Sequence, residues 1–363
     1  MKHLVEFRDK EIVKKLVKQI SNIAEGVPKV KLMEVCGTHT MSIARFGIRR
    51  FLPENVELIS GPGCPVCVTP NAYLDHAIAL GRLPGVTLTT FGDMMRVPGS
   101  SGSLEREKAA GRDIRVVYST MDALQIAREN PDREVIFLGV GFETTAPTIA
   151  ASILMAHRDG LKNFSVLCAH KTMPRPMEIL ASGNEVKLNG FICPAHVTAI
   201  IGAKAYQFLA EQYGKACAVA GFEPVDILEG IYLLVRQVRE EKPRVENQYS
   251  RVATWEGNKQ AQKIIEQVFE PADAEWRGIG TIPESGLKIR ALYEEYDAEN
   301  QFQVEIEPTR EHPGCICGEV MKGSKKPPEC NLFGSVCTPE YPVGSCMVSS
   351  EGTCAAYYKY ERL

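Results

Sequence analysis

The sequence predicts an α/β protein: two similar doubly wound α/β lobes followed by a small cysteine-rich C-terminal domain. Three observations lead there. Short apolar runs alternate with helical stretches as far as residue 241, that rhythm then stops, and the 12 cysteines gather in a few places.

With 363 residues against roughly 100–200 per domain, two or three domains are expected. Hydrophobic residues make up 44% and charged residues 24%, which suits a soluble chain with a sizeable core. The net charge is −3 and no block of Lys or Arg stands out, so composition points away from nucleic acid and from anionic membranes. The first 20 residues are charged every few positions and lack the apolar stretch of a signal peptide. No run approaches the ~18 apolar residues needed to cross a bilayer. A cytoplasmic location follows as the expectation, and in a reducing cytosol cysteines serve as metal ligands or redox thiols rather than structural staples.

In chain order, residues 9–24 have helical spacing of Ile12, Leu16, Ile20 and Ile23. Apolar runs at 31–35, 56–60, 86–90 and 114–118 read as four buried strands, and those at 134–140, 164–168, 190–193 and 216–220 as four more. Helical stretches follow at 41–51, 71–81, 121–130, 145–158, 177–183, 198–213 and 224–241. Four units and then four units predict lobes at 1–130 and 131–241. Residues 242–363 form the third domain, with an amphipathic stretch at 258–269 and a hairpin around 293–307. From residue 309 to 354 the chain is rich in Cys, Gly and Pro, and such a segment depends on a metal centre for order.

In open α/β sheets ligands bind at the carboxyl ends of strands. Here those turns read Cys-Gly-Thr-His-Thr (36–40), Gly-Pro-Gly-Cys-Pro-Val-Cys (61–67) and Gly-Asp-Met-Met-Arg (92–96). The later ones are Gly-Val-Gly-Phe-Glu-Thr-Thr (139–145), Cys-Ala-His-Lys-Thr (168–172), Cys-Pro-Ala-His-Val-Thr (193–198) and Gly-Phe-Glu-Pro-Val-Asp (221–226). Together they point to one cleft between the lobes. Cys64 and Cys67 form a C-x-x-C pair, which suits a redox dithiol or half of a zinc site; helix onset is expected only near Asn71. Cys36, with His39 three residues on, is a candidate nucleophile or metal ligand, since a thiolate and an imidazole suit iron, copper or zinc. Cys168, Cys193 and Cys217 read as small core residues. Asp93, Glu143, His170 and His196 line the same set of turns. The Gly139–Thr145 turn lacks the third glycine of a dinucleotide loop and no Walker lysine follows, so nucleotide binding is weakly supported. Cys315, Cys330, Cys337 and Cys354 are spaced C-x14-C-x6-C-x16-C, with Cys317 and Cys346 beside them. That spacing leaves both an iron–sulfur cluster and zinc open.

Cys36-Gly-Thr-His-Thr, Gly61-Pro-Gly-Cys-Pro-Val-Cys, Gly141-Phe-Glu-Thr-Thr, Pro194-Ala-His-Val and Cys346-Met-Val-Ser-Ser-Glu-Gly-Thr-Cys354 together resemble the HypD family of NiFe-hydrogenase maturation proteins. The resemblance spans nearly the whole chain. It implies two similar α/β lobes and a 4Fe-4S cluster held by Cys315, Cys330, Cys337 and Cys354. It further implies a redox disulfide between Cys317 and Cys346, arranged as in ferredoxin:thioredoxin reductase, and an iron worked on among Cys36, Cys64 and Cys67. The implied partners are a HypC-type chaperone and a HypE-type donor that delivers cyanide from a thiocyanate, and the free chain would be a monomer. The product would be an iron carrying two cyanides and a carbonyl, so the chain reads as a redox-active assembly scaffold rather than a conventional turnover enzyme. In that reading Cys36 binds the iron, with His39 beside it as ligand or proton donor. Cys64 and Cys67 switch between dithiol and disulfide, and the polar turns hydrogen-bond cyanide nitrogens. The competing readings are a ferredoxin-linked protein-disulfide oxidoreductase, which has no use for Cys36, and a zinc-stabilised binding module.

Overall fold

The computed structural model describes residues 6–183 and 185–362; the part of the leader reading that rests on residues 1–5 lies outside them. Eight parallel strands stand where the apolar runs predict them: β1 (Val30–Glu34), β2 (Val56–Ser60), β3 (Val86–Thr90), β4 (Ile114–Val116), β5 (Glu134–Gly139), β6 (Phe164–Cys168), β7 (Gly190–Pro194) and β8 (Ala216–Ala220). A ninth, β9 (Val245–Asn247), and an antiparallel hairpin, β10 (Phe269–Trp276) with β11 (Gly280–Ile289), follow. β3, β7 and β8 are buried at every position, as strands covered on both faces must be.

The strands form two parallel sheets, ordered β2-β1-β7-β8-β9 and β4-β3-β5-β6. Strand order reverses between β1 and β7 in the first and between β3 and β5 in the second, the doubly wound arrangement. The sequential division at residue 130 is not the one the sheets make. β1 pairs with β7, Leu32 opposite Gly190, so the first sheet joins residues 30–60 to 190–247 while the second holds 86–168. The chain enters one lobe, crosses to build the other, and returns. The rhythm of elements gives the number of strands but not their partners, which crossover geometry decides.

The start of a third domain at 242 also shifts. β9 extends the first sheet, Cys217 opposite Val245. The helix Lys259–Val268, capped by Asn258, lays Ile264 and Ile265 against the core of the second sheet. The hairpin expected at 293–307 lies earlier, as β10 and β11; Ala291–Tyr296 is a 3-10 helix instead. β10 holds Pro271 and few β-branched residues, which hid it, although its exposure alternates as in a strand with one covered face.

Beyond residue 309 the chain has only short helical pieces until Thr353–Tyr360, which packs on the helix Gly37–Arg45 of the first lobe. One apolar core runs through Met33, Val140, Trp276, Cys317 and Cys354, so the cysteine segment is packed on the sheets rather than tethered to them.

Candidate functional site

β1 runs through Val35 into Cys36, which caps the helix Gly37–Arg45 from an extended conformation (φ −142°, ψ 123°). The helix therefore starts four residues before the expected position 41: Gly-Thr-His-Thr is its first turn and not a loop. The polar groups of Thr38 and His39 beside it favour the thiolate, yet burial, aided by the Glu351 carboxylate, outweighs them and pushes the Cys36 thiol up to about 12. A thiol so placed ionises when a cation stands beside it and not before.

The turn after β2 is pressed against this residue. Gly37 N donates to Gly63 O at 2.9 Å, and a Cβ on Gly63 would run into the backbone of Val35 and Cys36. Cys64 caps a one-turn helix, Pro65–Val68, and its sulfur accepts from Cys67 N at 3.2 Å. Helix onset thus comes well before Asn71, because Pro65 is preset for the first helical position. Cys64 and Cys67 are joined as a disulfide with Cα atoms 5.2 Å apart.

His39 is fully buried beneath Cys36. Its Nε2 lies 3.0 Å from Ala220 O and 3.0 Å from Gly221 O at the end of β8, and burial holds it neutral, down to about 4. Nδ1 is the ring nitrogen left without a partner. Phe222 spans two imidazoles, with ring centroids 4.8 Å from His39 and 4.1 Å from the exposed His196. Cys36, Cys64, Cys67, His39 and His196 thus meet at the carboxyl ends of β1, β2, β7 and β8, across the switch point of the first sheet.

Sequence reasoning missed Glu351. Its Oε1 accepts from the Thr38 hydroxyl at 2.6 Å, and Gly37 packs on its side chain, so the cysteine-rich segment reaches the cap of Cys36. The signal was its place inside the Cys346–Cys354 motif, where the cysteines alone drew attention.

The second sheet keeps its polar turns apart. Glu143 is buried; Oε1 accepts from Met173 N at 2.9 Å, Oε2 has no partner, and burial raises the carboxyl to about 7. It lines an opening of about 1200 Å³ with Thr172, Ile201 and Gln262, to which Cys36 does not contribute. His170 is buried with Nδ1 3.3 Å from the Cys168 sulfur, and Asp93 is exposed on the turn Gly92–Arg96. The single cleft expected from the turns is therefore at least two places. Cys193 and Cys217 are core residues as expected, whereas Cys168 is half-buried and donates to Leu287 O at 3.1 Å.

The C-terminal cysteines make a second station. Cys315, Cys317, Cys330, Cys337 and Cys354 line one narrow opening, with Cys315 and Cys317 sulfurs 3.2 Å apart. Cys346 is buried beside Cys317 and Cys354, and all six thiols are free. Among the described residues no three Cys, His, Asp or Glu side chains converge on a single ion position. The two stations touch: Ser345 Oγ donates to Cys67 O at 2.8 Å, and the Cys67 sulfur lies 3.9 Å from Ser345 O, one residue from Cys346.

Residues 11–361 match the family model described as "HypD: Hydrogenase formation hypA family". The chain is 50% identical to hydrogenase maturation factor HypD2 of Bradyrhizobium diazoefficiens over 100% of its own length and 97% of that protein. It is 48% identical to hydrogenase maturation factor HypD of Rhizobium leguminosarum bv. viciae (100% and 96% covered) and 48% to that of Rhodobacter capsulatus (99% and 98%).

Proposed function

Since the chain belongs to the HypD family of hydrogenase maturation factors, we propose that it is the redox scaffold on which a NiFe-hydrogenase iron receives two cyanides and a carbonyl. A HypC-type chaperone and a HypE-type cyanide donor would be its partners. The observation that carries this reading is the contact of two thiol stations, Cys36 with Cys64–Cys67 on one side and the six C-terminal cysteines on the other.

Cys36 anchors the iron, which is cargo. A soft thiolate suits an iron with strong-field ligands, and burial keeps the sulfur protonated until the metal replaces the proton. The Glu351 carboxylate, held against the Cys36 turn by the Thr38 hydroxyl, is the nearby group placed to accept that proton. Cys64 and Cys67, as dithiol, supply the reductive step. The two thiols and a thiocyanate R–S–CN become the disulfide, R–SH and hydrogen cyanide, so two electrons and two protons leave the pair and the S–CN bond breaks. Exchange with the Cys317 and Cys346 thiols returns the pair to the dithiol and leaves those two oxidised, with Ser345, the residue before Cys346, packed against Cys67.

Cys315, Cys330, Cys337 and Cys354 fit a 4Fe-4S cluster: four thiols line one opening in a segment with little regular structure of its own. Such a cluster, when bound, supplies single electrons at low potential. The segment brings the thiols, and its packing on the sheets buries Cys337 and Cys354 while Cys315 and Cys330 stay half-buried.

The test is an infrared spectrum of the complex with the HypC-type partner, purified anaerobically, together with its iron and sulfide content. Cyanide and carbonyl bands lost in Cys36→Ala while the cluster iron stays would support the scaffold. No such bands with every partner supplied, and general disulfide-reductase turnover kept in Cys36→Ala, would favour the thiol oxidoreductase.

A further inference from the structure

Arg277 occupies the turn between β10 and β11 and is 5% exposed. Its main-chain N–H donates to Val68 O at 2.9 Å, at the end of the one-turn helix that carries Cys67. Its neighbour Gly278, at φ +70°, lies against Gly318 in the first turn of the helix Cys317–Met321; a side chain on either glycine would collide with the other. The turn is thus wedged between the two thiol stations.

The guanidinium is unusual in what it lacks. Its Nε and Nη2 have no hydrogen-bond partner although both are buried. Nε stands 3.5 Å from a carboxylate oxygen of Glu311, whose side chain is 53% exposed, beyond good hydrogen-bond distance. The side chain faces a narrow opening that it shares with Asn71, Cys315, Cys317 and Gly344. Gly344 leaves that opening clear toward the sulfurs, since a Cβ there would overlap those of both Cys315 and Cys317. Arginine cannot shed its charge when buried. A dry guanidinium with two unmet donors is costly unless an anion or an electron-rich acceptor completes it. The acceptors lining the opening besides Glu311 are Asn71 Oδ1, itself without a partner, and the sulfurs of Cys315 and Cys317, of which the sulfurs are the ones that gain charge when a metal centre forms.

We propose that Arg277 is a positioning residue for the C-terminal metal centre, its fixed cation and N–H donor at the Cys315–Cys317 edge, and that it raises the reduction potential of that centre. This rests on the cluster reading given above. Reduction adds one negative charge to a centre already anionic through its thiolates. A buried cation that donates to sulfur stabilises the reduced form more than the oxidised one. Glu311, on the solvent side, competes for the same guanidinium and opposes the effect.

The experiment uses the full chain, reconstituted anaerobically, with iron and sulfide measured first and the midpoint then read by electron paramagnetic resonance during a redox titration. Arg277→Gln should shift the midpoint to more negative values, and Arg277→Lys, which keeps the charge, should fall between it and the parent. Glu311→Gln changes an exposed residue and tests the same assignment without disturbing the core; it should shift the midpoint the opposite way. Unchanged midpoints in Arg277→Gln at full cluster content, or in Glu311→Gln if Arg277→Gln does not hold the cluster, would overturn the assignment. Parent protein without sulfide would overturn the cluster reading, and this assignment with it.

Discussion

The two thiol stations are built on opposite principles. Cys36 and the Cys64–Cys67 pair hang from the ends of β1 and β2, parallel strands paired along their length and buried on nearly every position. Gly63 fixes the spacing between the two turns to backbone contact. Six other cysteines sit in a segment whose regular structure amounts to the helices Cys317–Met321 and Thr353–Tyr360 and a few 3-10 turns. The first station is positioned by the fold whether or not it carries a metal. On the proposed reading, the second draws much of its order from the metal it holds.

Cys337→Ala should separate them most sharply. Removing one of the four proposed cluster ligands should raise protease cleavage between residues 309 and 354 by about tenfold or more, the scale on which a structural metal centre contributes to order. Cleavage within the sheets should not change. Equal susceptibility of parent and variant would break the contrast.

Gly63→Ala probes the other side. The added methyl meets the backbone of Val35 and Cys36, which cannot swing aside, so the cost is on the order of 3 kcal/mol in urea unfolding. The C-terminal thiols should keep their metal content. A neutral substitution would mean that the turn after β2 is not held as tightly as its contacts imply.

Glu143 sharpens the comparison by pH. Its carboxyl ionises at about 7 in the fold against an ordinary value near 4.5. Below pH 4.5 folded and unfolded chains both hold the proton. Between 4.5 and 7 the unfolded chain releases it first, so stability falls as pH rises, by up to about 3 kcal/mol above pH 7. Glu143→Gln should remove this fall, measured as thermal unfolding at pH 8 against pH 4.5. Parallel pH dependence in both proteins would show that Glu143 is partnered in solution.

The sequence foretells this scaffold well and its connections poorly. Eight strands were legible because fully covered parallel strands read as short apolar runs, as in Val135–Leu138 or Phe191–Cys193. Their division into lobes was not, because β1 finds its partner β7 some 160 residues away, a distance no local pattern records. At the site, Cys36, His39, Cys64 and Cys67 stood out by residue type and spacing. Glu351, Arg277 and Phe222 did not. Each acts through tertiary contact, with Thr38, with the Cys315 opening and with two histidines respectively. A helix start is also hard to see when a cysteine caps it, which hid the helix Gly37–Arg45 behind its own polar first turn.

Hydrogen exchange measured on one preparation, first without metal and then after reconstitution with iron and sulfide, tests the contrast between the stations most directly. The account predicts that exchange slows strongly in residues 309–354 and stays as it was in residues 30–67. Unchanged exchange in the cysteine segment, or equal slowing around Cys36 and Cys64, would contradict it.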